Sequence, residues 1–207
     1  MVLAKLLSVA SSRRLQAGQV LAIAELDRRL DVATDRFPAT VQKLARDFSK
    51  AKATLDLAAY RSSRALTADL AVGQELPDIR DSLYQADLRR IVPMDREEEF
   101  RMARRHEFLA TLVRSWLEKF GLPTAVVDEI DRAPAREVLQ RLAGRATPRG
   151  LDRAWFDRIV EQFEELRNLY VEGSLSIVLS TVNRYRGLGV DTADLIQEGN
   201  ASLFQAI

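Results

Sequence analysis

The chain of 207 residues contains no cysteine and a single histidine, His106. Without cysteine it can form no disulfide, no thiolate metal site and no cysteine nucleophile. With a single histidine the chain cannot form a two-histidine zinc site, and we expect no histidine-based catalytic triad. Since it also lacks a glycine-rich phosphate loop, we expect no catalytic residue, no metal ligand and no cofactor, and therefore not an enzyme. We interpret His106 as a helix-surface or partly buried residue.

Long hydrophobic runs and a strong charge imbalance are also lacking. No stretch approaches about 18 uninterrupted apolar residues, so no membrane-spanning helix is expected. The apolar start of the chain precedes Arg13 and Arg14, which inverts the order of a signal peptide, and predicts a cytoplasmic protein. Lys and Arg number 31 against 30 Asp and Glu, so any charged binding surface must be local.

Glycine and proline are sparse, at 9 and 6 residues, and apolar residues recur every three or four positions along most of the chain. This pattern predicts an all-α fold, a multi-helix bundle without strands. The prolines fall where the periodicity restarts, as expected at helix first turns. The predicted helices span roughly 2–33, 39–71, 79–91, 95–119, 123–131, 135–143, 151–186 and 192–207.

The last two predicted helices have the most specific pattern. The first carries an apolar stripe with residues spaced four and three apart, ending at Val178, Val182 and Tyr185. A Gly-Leu-Gly turn at 187–189 stops it, and Asp191 is a suitable N-cap for the next helix, with Asp194 in its first turn. A helical projection predicts that one face of this last helix is buried: Leu195, Ile196, Gly199, Leu203, Ala206 and Ile207.

The opposite face of the last helix is polar apart from one aromatic residue, Phe204. Its other members are Asp194, Glu198, Ala201 and Gln205, flanked by Gln197 and Asn200. An aromatic side chain beside two carboxylates and several amides is typical of an interface anchor that receives a basic partner. The alternative is a solvated helix face.

The run DLIQEGN, residues 194–200, followed by Leu203 and Ala206, resembles region 2.2 of the sigma-70 family of bacterial transcription initiation factors. The preceding SIVLSTVNRYRGLG, residues 176–189, resembles region 2.1. Upstream, LRRIVPMDREEE at 88–99, followed by an Ala-Arg-Arg segment, resembles region 1.2. Ser174, Ser176 and Ser202 depart from the family's usual residues.

The resemblance implies a sigma factor that docks onto the coiled coil of the beta-prime subunit of core RNA polymerase. Matched to the family's motif, the core-polymerase-binding residues are Asp194, Gln197, Glu198, Asn200 and Phe204. Region 1.2 of the family approaches promoter DNA, so the basic residues here are candidates for DNA-backbone contact, with a solvated basic face as the alternative. They are Arg89, Arg90, Arg101, Arg104 and Arg105. An anti-sigma factor is a further implied partner, and promoter DNA is a partner of the full-length protein.

The resemblance also predicts four segments: an N-terminal helical extension of unknown role at 1–78, a region 1.2-like part at 79–107, a variable helical insert at 108–167, and an incomplete region 2.1–2.2-like part at 168–207. The family's promoter-reading helices do not follow, and the chain ends at Ile207 inside a predicted helix without a C-cap. We therefore expect a truncated sigma factor. The alternatives are a short sigma-like competitor or helical adaptor that binds polymerase without promoter recognition, and a helical scaffold unrelated to transcription.

Overall fold

The computed structural model describes residues 14–70, with side chains to residue 64, and residues 93–123, 125, 127, 129, 133–185 and 189–207. These residues form seven helices and one two-stranded sheet, which confirms the predicted all-α, multi-helix fold class. None of the helices in these ranges is long and apolar enough to cross a membrane. The elements are β1 (Val20–Leu21), α1 (Ile23–Leu30), α2 (Phe37–Ala51), β2 (Thr54–Leu55), α3 (Leu57–Leu70), α4 (Arg96–Lys119), α5 (Ala135–Arg141), α6 (Arg153–Tyr185) and α7 (Thr192–Ala206).

Four of the predicted helices are confirmed to within two residues, and they are α4, α5, α6 and α7. Two N-terminal predictions are wrong. The helix predicted over 2–33 is only α1 in the described residues, and the helix predicted over 39–71 is interrupted between Ala51 and Leu57. The helix predicted at 79–91 lies outside the described residues, as does much of the one predicted at 123–131.

The interruption after α2 comes from a left-handed residue. Lys52 has φ 51° and ψ 39°, a conformation that ends a helix and is usually taken by glycine. The N–H of Ala53 then donates to the carbonyl of Phe48 at 3.1 Å, closing the helix end. With no glycine at this position, the residues carry no stop signal, and the continuous helix predicted there was therefore wrong.

The chain released by this break forms β2, which pairs in parallel with β1, so the prediction of no strand was also wrong. Leu21 lies opposite Leu55, and Asp56 N–H donates to the carbonyl of Leu21 at 2.9 Å. Gln162 of α6 extends the pairing, since its amide donates to the carbonyl of Leu55 at 2.6 Å and accepts from the Leu55 N–H at 3.0 Å. Strands of two residues are too short to show a two-residue alternation in sequence.

The contacts divide the chain into two compact units whose segments alternate along the sequence. Unit 1 comprises residues up to Leu57 together with Arg101–Leu166, and unit 2 comprises Ala58–Phe100 together with Arg167–Ile207. These boundaries differ from the four predicted segments, except near residue 167. The long helices α4 and α6 each supply residues to both units.

Unit 1 is built on a buried aromatic core. The rings of Phe48 and Phe108 meet edge to face, with centroids 4.9 Å apart. Trp155 at the start of α6 is 1% exposed, and its indole N–H donates to the carbonyl of Ala53 at 2.8 Å. The aromatic core therefore connects α2, α4 and α6 to the chain that leads into β2.

Asp152 precedes α6 and caps it. Its Oδ1 accepts the N–H of Trp155 at 3.1 Å, and its Oδ2 lies 2.9 Å from the Nζ of Lys52. The hydrogen bond from Lys52, followed by the backbone hydrogen bond from Trp155, holds the pKa of Asp152 below its ordinary value of 3.8. A carboxyl whose folded pKa is lowered stabilises the fold above its unfolded pKa, and that stabilisation is lost as pH falls through the folded value.

We expect the variant Asp152→Asn to melt at a lower temperature than the parent at neutral pH, because it loses the charged contact with Lys52. The difference should shrink as pH falls below 3.8 and through the lowered pKa of Asp152, since the parent carboxyl then becomes uncharged, like the asparagine. Thermal unfolding followed by circular dichroism from about pH 7 to about pH 2 measures it. Lys52→Met is the matched control and should show the same pH dependence. A difference that persists unchanged in acid would contradict the assignment.

Candidate protein-binding face on the last helix

The turn into α7 is specified by two residues. Gly189 has φ +87°, a conformation that a residue with a side chain adopts only with strain. Asp191 then caps α7, because its Oδ1 accepts the N–H of Ala193 at 2.7 Å. Asp194 lies in the first turn, where the helix dipole favours a carboxylate, and both predictions for this helix start are confirmed. Residues 186–188 lie outside the described part of the chain.

Helix α7 packs on the C-terminal half of α6 within unit 2. Ile196 is 4% exposed and joins Val178, Leu179 and Val182 in one buried cluster. Gly199 faces the same cluster, and a Cβ at this position would lie 2.6 Å from Val178 Cγ1. Only a residue without a side chain allows the two helices to approach this closely.

The predicted buried face of α7 is confirmed for part of its length. Ile196 is buried, and Leu195 and Leu203 are partly buried against the cluster. Ala206 is exposed, so its predicted burial was wrong, and Ile207 is half-buried. The apolar contact with α6 thus covers the first part of α7 better than its last turn.

The opposite face of α7 presents an exposed polar stripe, which we define as Asp194, Gln197 and Glu198. All three side chains are exposed, whereas Asn200 is half-buried. Positions three and four apart are neighbours on a helix surface, so the two carboxylates and the amide form one patch. The structure therefore brings together three of the five residues predicted to bind a partner.

The helical projection predicted Phe204 to be exposed among the polar side chains, but the structure covers part of it. Its ring is half-buried, and the guanidinium carbon of Arg167 lies 4.9 Å from its centroid. Arg167, on α6, is itself only 1% exposed. This cation–π contact uses one side of the ring inside unit 2, and only the remainder can reach a partner. A projection of α7 alone could not reveal it, because the arginine belongs to another helix.

An apolar groove that the sequence reasoning missed lies beside the polar stripe. It has a volume of about 460 Å³ between α6 and α7, and Val182, Leu195 and Leu203 line it with Glu198 at one edge. Tyr185, also in its wall, is 52% exposed. The apolar stripe of α6 was predicted as a packing face, but α7 leaves part of it, including Tyr185, exposed in this groove.

The three described arginines predicted to contact DNA are not all on one exposed surface. Arg89 and Arg90 lie outside the described residues, and Arg101 is exposed. Arg104 is half-buried, and its Nη2 donates to the carbonyl of Val32 at 2.8 Å. Its guanidinium also lies over an aromatic ring of α2.

Arg105 is the clearest departure from the predicted arginine surface. It is 2% exposed, and its Nε and Nη2 each lie 2.7 Å from a carboxylate oxygen of Asp27. A bidentate pair of this kind is geometrically specific and costly to break when buried. Arg105 therefore stabilises unit 1 and is not available to contact DNA. The neighbouring His106 is also buried, with its ring 5.1 Å from that of Phe163.

No family model matches the chain, and no solved structure matches it. Its function must therefore be inferred from the residues and their geometry. The sequence motif and the structure both point to the polar stripe of α7, and the structure adds the apolar groove beside it.

Gly199→Ala tests the close approach of α7 to α6. Overpacking costs about 1–3 kcal/mol, and alanine's better helix propensity returns up to about 1 kcal/mol. We expect the free energy of unfolding to fall by about 1 kcal/mol, measured by urea denaturation. In a Val178→Ala background the obstructing methyl is absent, so the same change should stabilise by about 0.5–1 kcal/mol. Stabilisation in both backgrounds would contradict the contact.

Proposed function

We propose that this chain is a non-enzymatic, cytoplasmic transcription initiation factor of the sigma-70 type that docks onto core RNA polymerase through α7. One observation carries the proposal. The DLIQEGN run that resembles region 2.2 lies on a capped helix whose apolar residue Ile196 is buried, while Asp194, Gln197 and Glu198 are exposed together. These three exposed side chains contribute nothing to the core, although they belong to the motif. A binding partner would explain why they are there.

The chemistry of the polar stripe fits a basic helical partner, and we infer the coiled coil of the beta-prime subunit. Asp194 and Glu198 are four residues apart, so their carboxylates lie one turn apart on the same face. Two arginines or lysines on a facing helix can pair with them, and Gln197 can both donate and accept hydrogen bonds. Hydrogen bonds to charged groups contribute about 1.5–3 kcal/mol each.

The apolar groove supplies the second part of the proposed contact. It runs beside Glu198, so a partner helix that pairs with the carboxylates can also bury apolar side chains there. Asn200 and Phe204 are half-buried and are proposed as flanking contacts. Among the described arginines of this region, the exposed Arg101 is proposed to contact a phosphate of promoter DNA. An anti-sigma factor would act by covering the same stripe.

Glu198→Lys tests the proposed interface directly. Replacing an attractive charge by a repulsive one should weaken the affinity for core RNA polymerase by about tenfold or more. Because Glu198 is exposed in the middle of α7, the helical circular dichroism spectrum should be unchanged. Fluorescence anisotropy of the labelled chain, titrated with purified core polymerase, measures the affinity.

The matched control is Glu172→Lys, which makes the same charge reversal at an exposed position of α6 in the same unit. We expect this control to change the affinity by less than about twofold. Equal affinity of parent and Glu198→Lys, or an equal loss in both variants, would contradict the assignment of the interface. A parent chain that does not bind core polymerase would favour the helical scaffold.

A further inference from the structure

Unit 1 contains a basic cleft that the proposed function does not use. Its volume is about 610 Å³, its walls are α2 and α4, and Gly150 lies at its edge. Arg46 and Lys50 are contributed by α2, one helical turn apart, and Lys119 by the end of α4. All three cationic residues are exposed, and one acidic residue, Glu118, also lines the cleft.

No described carboxylate forms an ion pair within 4.0 Å with any of the three cations of the cleft, Arg46, Lys50 and Lys119. Lys52 and Arg105, elsewhere in the same unit, each pair with an aspartate. Like charges that converge on one cleft repel one another and raise the local concentration of anions.

The wall of the cleft holds one cation in place. The Nζ of Lys119 lies 3.8 Å from the centroid of the Trp116 ring, which favours the charged amine through a cation–π contact. Trp116 is 6% exposed, and its indole N–H donates to Ser49 Oγ at 2.9 Å across the two helices. Ser49 Oγ in turn donates to the carbonyl of Ala45 at 2.9 Å. A cation positioned before binding loses less conformational entropy when a ligand arrives.

We propose that this cleft binds a ligand that carries adjacent phosphate groups, through Arg46, Lys50 and Lys119. The volume falls in the range of about 300–1,000 Å³ typical of small-ligand sites. Three cations against one carboxylate call for a compact anion with several negative charges, and Arg and Lys are the side chains that bind phosphate. Arg149, which precedes Gly150 in the chain, is also exposed. The ring of Trp116 is buried under Lys119, so recognition depends on charge and not on base stacking.

Titration calorimetry of the full chain with sodium tripolyphosphate tests the proposal. We expect saturable binding at low salt that weakens as salt is added, because the contacts are ionic. The double variant Lys50→Gln/Lys119→Gln should bind about tenfold more weakly or worse. The double variant Lys43→Gln/Arg136→Gln removes the same charge from exposed positions of unit 1 outside the cleft, and should bind as the parent does.

A second probe, a mixed-sequence single-stranded oligonucleotide, distinguishes the two sources of phosphate. If the oligonucleotide binds and the cleft variant loses it, the ligand is a nucleic-acid backbone; if only tripolyphosphate binds, the ligand is a compact polyphosphate. No binding of either probe at low salt, or equal weakening in both double variants, overturns the proposal. Since α7 belongs to unit 2, Glu198→Lys should leave this binding unchanged, so the two proposals can fail separately.

Discussion

The contact between Gly199 of α7 and Val178 of α6 determines how the candidate interface is presented. An α-helix spaces its side chains at a constant angle, so the residue that meets the neighbouring helix decides which residues face outward. With Gly199 against Val178 and Ile196 buried, Glu198 and its neighbours on the stripe must point away from the core. A larger residue at 199 would separate or rotate the helices and shift that stripe.

Arginine has two roles in this protein, and its burial separates them. Arg105 and Arg167 are almost completely buried, the first paired with Asp27 and the second over the ring of Phe204. Arg46, in contrast, is exposed beside a cleft and forms no ion pair among the described residues. At least one arginine of the region 1.2-like motif, Arg105, thus stabilises the fold. Arg46, which has no ion pair among the described residues, lies outside the segments that resemble the sigma family.

Much of the fold and part of the candidate site could be predicted from sequence, because they depend on local rules. Apolar residues three and four apart predicted α4, α6 and α7, and the cap at Asp191 follows from a side chain that reaches its own helix. The exposed stripe follows from the same periodicity. The sequence did not predict the left-handed break at Lys52 or the pairing of β1 with β2. Both depend on a strand that is distant in the chain, and no nearby residue type signals them.

The sequence by itself determined that this is a helical chain without thiol chemistry, and which residues of α7 form its polar face, because composition and helical spacing act over a few neighbouring positions. Only the tertiary structure decided that Phe204 is partly covered, that Arg105 is buried, and that Lys119 and Lys50 line the same cleft. These outcomes depend on residues far apart in the chain. Their contacts arise from the packing of separate helices, which no local pattern encodes.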